Sequence, residues 1–249
     1  MDTVEFSNRF DILVNSFNQR ADHSDLRDLK FDEYEKSVFL TEAEYELCRA
    51  YYSGKNVFGQ SFEDTEELRV ILDALVKSYI TLNAQTPTSM KEDELSATGD
   101  FLLSDKSYLF KRPTDAWFII EEQVKYATNE NSCISGKEVL VQPIRHDDFL
   151  KQKDNPFRGP SNNRVLRLTI DNNLVELISN YPIASYKLRY IKKPSPIILT
   201  ALPDELFIEG LQTITQCELN PLVHDLILQL AVKNAIQSRV IGAMVDAQK

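Results

Sequence analysis

Glycine is scarce in this chain of 249 residues, which holds seven glycines, three cysteines, three methionines and one tryptophan. An average protein contains about 7% glycine. Loops that cradle phosphates depend on glycine, and neither G-x-x-x-x-G-K-[ST] nor G-x-G-x-x-G occurs in the sequence. The composition therefore argues against nucleotide hydrolysis.

Long apolar runs are also absent, and the opening segment MDTVEFSNRF lacks both a basic stretch and an apolar stretch. We therefore expect neither a secretory signal nor a membrane span, and a protein made in a cytoplasm. Cys48, Cys133 and Cys217 are odd in number and far apart, which is typical of reduced thiols that pack in a core rather than of a disulfide framework.

Residues that could do chemistry are isolated. The three histidines, His23, His146 and His224, stand in no H-E-x-x-H or C-x-x-C setting, and Cys217 with His224 gives too few ligands for zinc. In the sequence His146-Asp147-Asp148 the carboxylates are better explained as partners of the dipole of a short helix. We expect no catalytic residue, no cofactor and no metal, although a carboxylate pair such as Glu42 and Glu46 stays open.

The chain is 43% hydrophobic and 10% aromatic, enough for a packed core in one or two domains. Its charge is uneven. Residues 1–100 hold 10 Lys and Arg against 21 Asp and Glu, a net −11, whereas residues 151–193 hold 9 against 3, a net +6. Opposed charges favour association between complementary surfaces, and in a ring of identical subunits they could pair neighbours.

The first region, residues 1–90, is predicted to be helical. Apolar residues from Phe6 to Phe17 recur at helical spacing. A second helix is expected to start at Thr41, with Glu44 completing a capping box and Gly54 as its stop. The third is expected over residues 62–82, with Leu68, Ile71, Leu72, Leu75, Val76 and Tyr79 on one face.

A polar stretch at 87–99 is predicted to be a linker. After it, the spacing of the apolar residues changes to the period of two that is typical of strands. In the last strand, Tyr186, Leu188 and Tyr190 should face a core and Lys187 and Arg189 the solvent. The turn at 171–173 suits a hairpin, and a short helix should end before Pro156. The strands are expected at 101–110, 116–127, 138–144, 164–170, 174–179 and 185–191.

The last region holds one strong helix, with Asn220 as its N-cap and Pro221 in its first turn. Its apolar face is expected to contact the face from Leu68 to Leu75 through Leu226 or Leu230. The predicted fold class is α+β. Residues 1–90 and 200–249 are expected to form a discontinuous helical bundle. Residues 91–199 are expected to form an inserted strand-rich domain that is a β-sandwich or resembles a barrel. The apolar face of this last helix is predicted to comprise Leu222, Val223, Leu226, Ile227, Leu230 and Ala231.

Taken together, five segments resemble head-to-tail connector proteins of tailed bacteriophages, in particular the ring (adaptor) proteins of short-tailed crAss-like phages. The clearest elements are the strand exit at 190–194 (YIKKP) and the helix entry at 217–219 (CEL). The resemblance spans nearly the whole chain and carries no catalytic residue. The segments are FDEYEKSVFLTEAEYELCRAYYSG, FEDTEELRVILDALV, VQPIRHDDFLKQKDNPFRGP, YKLRYIKKPSPIIL and CELNPLVHDLILQLAVKNAI.

The resemblance implies a virion protein that forms a ring, commonly a dodecamer, beneath the portal protein. Such a ring continues the DNA conduit without binding DNA specifically and offers a surface to further ring or tail proteins. The acidic residues of 1–100 would suit a channel wall, since phosphates slide past negative surfaces, and a weakly structured tail after Gly242 would suit docking on the portal. Interface residues are expected to be Lys187, Arg189, Lys192, Lys193, Gly242, Ala243, Met244 and Val245.

Two other classes of function stay open from the sequence. One is a tail-associated peptidoglycan hydrolase, which would need a carboxylate pair in a cleft. The other is a nucleic-acid-binding module that uses the basic strand region, with Tyr186 and Tyr190 as stacking platforms. Because these two tyrosines share a face with Leu188, a place in the core is the favoured interpretation.

Overall fold

The structure is a computed structural model that describes residues 1–20, 29–56, 59–81, 107–128, 134–152, 155–171 and 173–246. The chain is α+β and divides into two compact units, Met1–Leu75 with Pro194–Lys249 and Val76–Lys193. The predicted linker at 87–99 lies outside the described residues. The helices within them are α1 (Thr3–Arg20), α2 (Glu33–Ser53), α3 (Glu66–Leu72), α4 (His146–Gln152) and α5 (His224–Asp246).

In the first unit, α1, α2 and α5 pack against one another. As predicted, the apolar spacing of α1 buries Phe6, Phe10 and Val14. The Phe6 ring lies 5.2 Å from the ring of His224 at the start of α5. Phe10 meets Phe31 edge to face at 5.7 Å, so aromatic contacts fix how α1 meets its neighbours.

The start predicted for α2 is wrong. The helix begins after Asp32, whose carboxylate accepts from Glu35 N at 2.7 Å, while Glu35 Oε2 accepts from Asp32 N at 3.3 Å. Thr41 and Glu44 fit the same capping pattern but lie inside the helix, where Thr41 Oγ1 donates to Ser37 O at 2.8 Å. The predicted end is confirmed, because Gly54 caps α2 with φ 71°, a left-handed conformation that favours glycine.

The third predicted helix is too long. Thr65 caps α3, which ends at Leu72, and a 3-10 turn over Asp73–Leu75 follows. Residues 76–81 then form strand β1 (Val76–Thr81), paired antiparallel with the strand at 183–192. Val76 and Tyr79 therefore belong to a sheet edge and not to a helix face, because strand pairing overrides the helical periodicity of the segment.

Helix α5 follows the predicted N-cap, since Leu222 N donates to Asn220 Oδ1 at 3.0 Å. A 3-10 turn over Pro221–Val223 delays the start of the α-helix to His224. The predicted apolar face is wrong at Leu222 and Leu226, which are 72% and 44% exposed. The helix packs mainly on α2 and α1 rather than on α3. The buried stripe of the 3-10 turn and α5 together is Val223, His224, Ile227, Leu228, Ala231, Val232 and Ala235.

Among the residues that the structure describes, the second unit forms a single mixed sheet of seven strands in the order β1-β7-β3-β4-β5-β6-β2. Only β4 and β5 run parallel among the described strands, and α4 lies in the connection between them. A β-sandwich or a barrel-like closure stays a finer prediction. Besides β1, the strands are β2 (Ser107–Lys111), β3 (Ala116–Tyr126), β4 (Glu138–Pro143), β5 (Arg164–Asp171), β6 (Leu174–Ile178) and β7 (Ile183–Lys192).

The strand predictions from 116 onward are confirmed to within a few residues, and residues 101–106 of the first one lie outside the described residues. The alternation in β7 is confirmed: Tyr186, Leu188 and Tyr190 are at most 5% exposed, whereas Arg189 is exposed. On the other side of β5 and β6, Phe149 of α4 covers Leu166, Leu168 and Ile178. Both sides of this part of the sheet are thus packed.

Candidate interaction surfaces

The four basic residues that we expected at an interface lie on strand β7 or, for Lys193, directly after it. Arg189 is exposed, Lys187 is half-buried, and both lie on the face opposite to the tyrosines. Lys187 donates to Glu138, and this hydrogen bond holds the pKa of the Glu138 carboxyl below its ordinary value. Lys192 and Lys193 are half-buried at the end of the strand, so the four residues do not form one open basic patch.

The expected interface at the other end of the sequence falls in α5. Helix α5 continues to Asp246, so residues 242–245 are helical. The prediction of a weakly structured tail is therefore wrong for residues 243–246. Residues 247–249 lie outside the described residues. Gly242, Ala243, Met244 and Val245 thus extend the helix that packs on α1 and α2.

A buried polar cluster lies inside the sheet of the second unit. Tyr186 donates to Glu122 Oε1, and Arg167 Nη1 donates to the same oxygen at 3.2 Å. Glu122 is 6% exposed, and burial raises the pKa of its carboxyl although Arg167 and Tyr186 act to lower it. Because solvent scarcely reaches the cluster, it ties β3, β5 and β7 together instead of offering a site for a substrate.

Two cysteines of the first unit, the buried Cys48 and the half-buried Cys217, lie near the carboxylate of Glu44. Cys217 Sγ donates to Glu44 Oε1 at 3.2 Å, and both Cys48 and Cys217 are free thiols. Burial, reinforced by the Glu44 carboxylate, raises the pKa of both thiols. A thiol kept protonated is a poor nucleophile, so the arrangement favours packing over catalysis.

The polar residues around α4 behave as helix-end partners. Asp147 and Asp148 lie in the first turn of α4, as predicted, and Asp147 pairs with Arg145 at 3.0 Å. The ring of His146 is bound through Nε2 to Thr169 O at 2.8 Å. Within the described part of the chain, no group of three or more His, Cys, Asp or Glu could hold a metal ion.

The alternatives left open by the sequence receive no support from this geometry. Glu42 and Glu46 are exposed on α2, where Glu46 accepts from Asn234 at 3.2 Å. Tyr186 and Tyr190 are core residues and present no ring face to a base. Among the described helices, none is both long enough and apolar enough to cross a membrane.

An exposed apolar group of the first unit was missed by the sequence analysis. It lies on the hairpin loop 198–215, where Leu206, Phe207, Leu211 and Ile214 are 36–55% exposed. The loop turns at Glu209 and Gly210, both at positive φ. A glycine turn between two short apolar runs is a recognised hairpin signal that could have revealed it.

Comparison with known proteins gives concordant matches. A family model described as phage tail ring protein 3/4 matches residues 1–246. Ring protein 3 of Bacteroides phage crAss001 is 45% identical over 240 residues, 96% of each chain. Ring protein 4/5 of the same phage is 33% identical over 245 residues, covering 94% of this chain and 92% of the relative.

Proposed function

The chain belongs to the phage tail ring protein 3/4 family, and on that basis we propose that it is a non-enzymatic subunit of the head-to-tail connector ring of a phage virion. In this proposal the ring is a dodecamer that docks beneath the portal protein, continues the DNA conduit and attaches further ring or tail proteins. The resemblance to ring proteins of crAss-like phages seen in the sequence is confirmed.

The observation that carries the proposal is the extent of the family match, which includes both compact units. A match confined to one unit would leave the role of the other open. The closed polar clusters around Glu122 and Glu44 agree with a structural role, because both serve packing between elements.

In the proposed ring, the acidic part of the first unit faces the DNA. Residues 63–73 carry five exposed carboxylates, those of Glu63, Asp64, Glu66, Glu67 and Asp73, and one basic residue, Arg69. A negative wall repels the phosphate backbone and lets DNA pass during ejection without binding. A ring structure whose inner wall is instead dominated by Lys187, Arg189, Lys192 and Lys193 would contradict this assignment.

Docking on the portal is assigned to the end of α5, at residues 242–245. The basic residues Lys187, Arg189, Lys192 and Lys193 are assigned to contacts with neighbouring chains, where they would meet the acidic parts of the next subunit. Cross-linking mass spectrometry on phage particles tests both assignments. Cross-links from Lys192 or Lys193 that reach only the same chain would contradict the second one.

The functional proposal is tested by purifying the chain with the portal protein and imaging the product by electron microscopy. A closed ring coaxial with the portal is the expected result. A zymogram on peptidoglycan is the matched test of the hydrolase alternative and should show no clearing. Portal particles that lack the chain, combined with clearing, would replace the ring proposal by an enzymatic one.

A further inference from the structure

The hairpin loop 198–215 is a firmly held projection of the first unit. Its ends are joined by the Ile198–Thr215 bridge, with N to O distances of 3.2 Å, and Leu202 N donates to Gln212 O at 2.9 Å. Ile198, Leu202 and Ile208 are buried and pack with Tyr34 and Val38 of α2. Because backbone bonds and a small core fix the loop, its exposed side chains are pre-organised for binding.

The exposed side of the loop combines apolar and acidic groups. Phe207 and Ile214 are 54% and 55% exposed, and Leu206 and Leu211 are 36% and 39% exposed. The carboxylates of Asp204, Glu205 and Glu209 are exposed in the same loop. Apolar side chains grouped on a projection and bordered by charge are typical of a contact surface between proteins.

A matching concave surface lies between α1 and α5. The groove has a volume of about 450 Å³, and apolar side chains make up half of its lining, with Lys233 as the one charged residue. The lining consists of Leu13, Ser16, Phe17, Gln229, Val232, Lys233, Ile236 and Gln237. The groove thus offers apolar surface and a positive charge to a projection that carries apolar side chains and negative charges.

The projection and the groove lie on opposite sides of α2. The segment leading into the loop contacts Tyr34, Val38 and Thr41, which accepts from Ile197 N at 3.0 Å. Other residues of α2 bind the two remaining helices. Lys36 Nζ lies 2.7 Å from Asp11 Oδ2 of α1, and Glu35 Oε1 lies 2.6 Å from Arg239 Nη2 of α5. With about 100° of rotation per residue, these two sets of positions point in opposite directions from the helix axis.

A subunit with a projection on one side and a complementary groove on the other can join copies head to tail. Such heterologous contacts generate rings when the rotation between copies closes. We propose that the hairpin loop 198–215 of one copy seats Phe207 and its apolar neighbours in the α1–α5 groove of the next copy, with its carboxylates near Lys233. This contact rests on the proposed ring function and supplies its subunit interface.

Photo-cross-linking tests the contact directly. The full chain, with p-benzoylphenylalanine in place of Phe207, is incorporated into particles containing the portal and the other ring proteins. Irradiation should join residue 207 to residues 13–17 or 229–237 of another copy. The matched control carries the photoreactive group in place of Phe157, which is 85% exposed in the other unit and should give no such product.

Substitutions give a second readout. Phe207→Asp should lower incorporation at least about 30-fold, the scale of a central aromatic contact, while Phe157→Asp leaves it unchanged. Lys233→Glu should lower incorporation, and Glu205→Lys in the same chain should restore part of it, because the charge pair is re-formed with reversed sign. Circular dichroism of each variant should match that of the parent chain, since these side chains are exposed.

The outcomes separate this contact from the ring function. Rings in which residue 207 cross-links only elsewhere on a neighbouring copy, or only to another virion protein, overturn the contact and leave the ring proposal standing. Normal incorporation of Phe207→Asp also overturns the contact. Particles with no ring of this chain overturn both.

Discussion

Replacing Lys36 by methionine tests whether an ammonium group buried between α1 and α2 stabilises their packing. The side chain of Lys36 is 4% exposed. Its Nζ lies 2.7 Å from Asp11 Oδ2, 3.0 Å from Glu33 Oε1 and 3.1 Å from Ser7 Oγ. All three N–H groups thus have acceptors, and methionine would keep the apolar contacts of the stem while removing the charge.

The expected loss lies between two limits. Removing one partner of a fully buried ion pair costs about 3–5 kcal/mol, and an exposed pair is worth about 0–1 kcal/mol. The Asp11 and Glu33 side chains are 50% and 40% exposed, so water can solvate them once the ammonium group is gone. We therefore expect Lys36→Met to lower the free energy of unfolding by about 1–3 kcal/mol.

The assay is urea unfolding followed by far-UV circular dichroism, with Arg9→Met as the matched control. Arg9 bridges α1 and α5 through Asp225 at 2.6 Å, but its side chain is 45% exposed, so its loss should cost less than about 1 kcal/mol. If Arg9→Met destabilises the protein as much as Lys36→Met, burial is not what makes the Lys36 interaction strong.

The pH dependence of the same variant supplies a second check. Burial lowers the pKa of Lys36, but the hydrogen bonds and charges of Asp11 and Glu33 outweigh it, and the pKa is raised above 10.5. A base whose pKa is raised by folding stabilises the folded state below its unfolded pKa and loses that contribution as the pH rises through the folded value. On the alkaline side, the difference between the parent chain and Lys36→Met should therefore persist up to about pH 10.5 and shrink above it.

Three further predictions concern other parts of the first unit. Burial lowers the pKa of His224 below 6.5. The unfolded chain therefore takes up the proton first, and the stability of the folded chain should fall as the pH drops from neutral to about 5. Thermal unfolding of His224→Gln should lack this part of the pH dependence. Cys48 and Cys217, with their raised pKa values, should react with iodoacetamide much more slowly in the folded chain than in urea; equal rates would contradict the burial of Cys48 and the partial burial of Cys217. Deleting residues 242–249 should leave unfolding nearly unchanged but weaken docking on the portal; unchanged docking in a pull-down would reject that assignment.

The strands of the second unit were predictable because their side chains alternate. In β7, Tyr186, Leu188 and Tyr190 alternate with Lys187 and Arg189, and this period of two has no helical interpretation. Segment 76–81 was assigned wrongly because its apolar residues continue the spacing of α3. Its pairing with β7 depends on a partner more than a hundred residues away in sequence, which local periodicity cannot reveal.

Local capping chemistry was ambiguous in a different way. Asp32 with Glu35 and Thr41 with Glu44 both fit the capping box, so the spacing by itself does not tell which pair starts the helix. In the structure Thr41 Oγ1 accepts from Ile197 N, a contact with a distant segment that gives this hydroxyl its role. The exposed hairpin loop was missed because an apolar residue in a sequence is ordinarily taken for core, and exposure is set by tertiary packing.

Cryo-electron microscopy of the assembled phage particle tests the central claim most directly. The account predicts a closed ring of copies of this chain, coaxial with the portal, with the acidic residues 63–73 on the inner wall. Density showing the chain outside the head-to-tail axis, or present without cyclic neighbours, would contradict it.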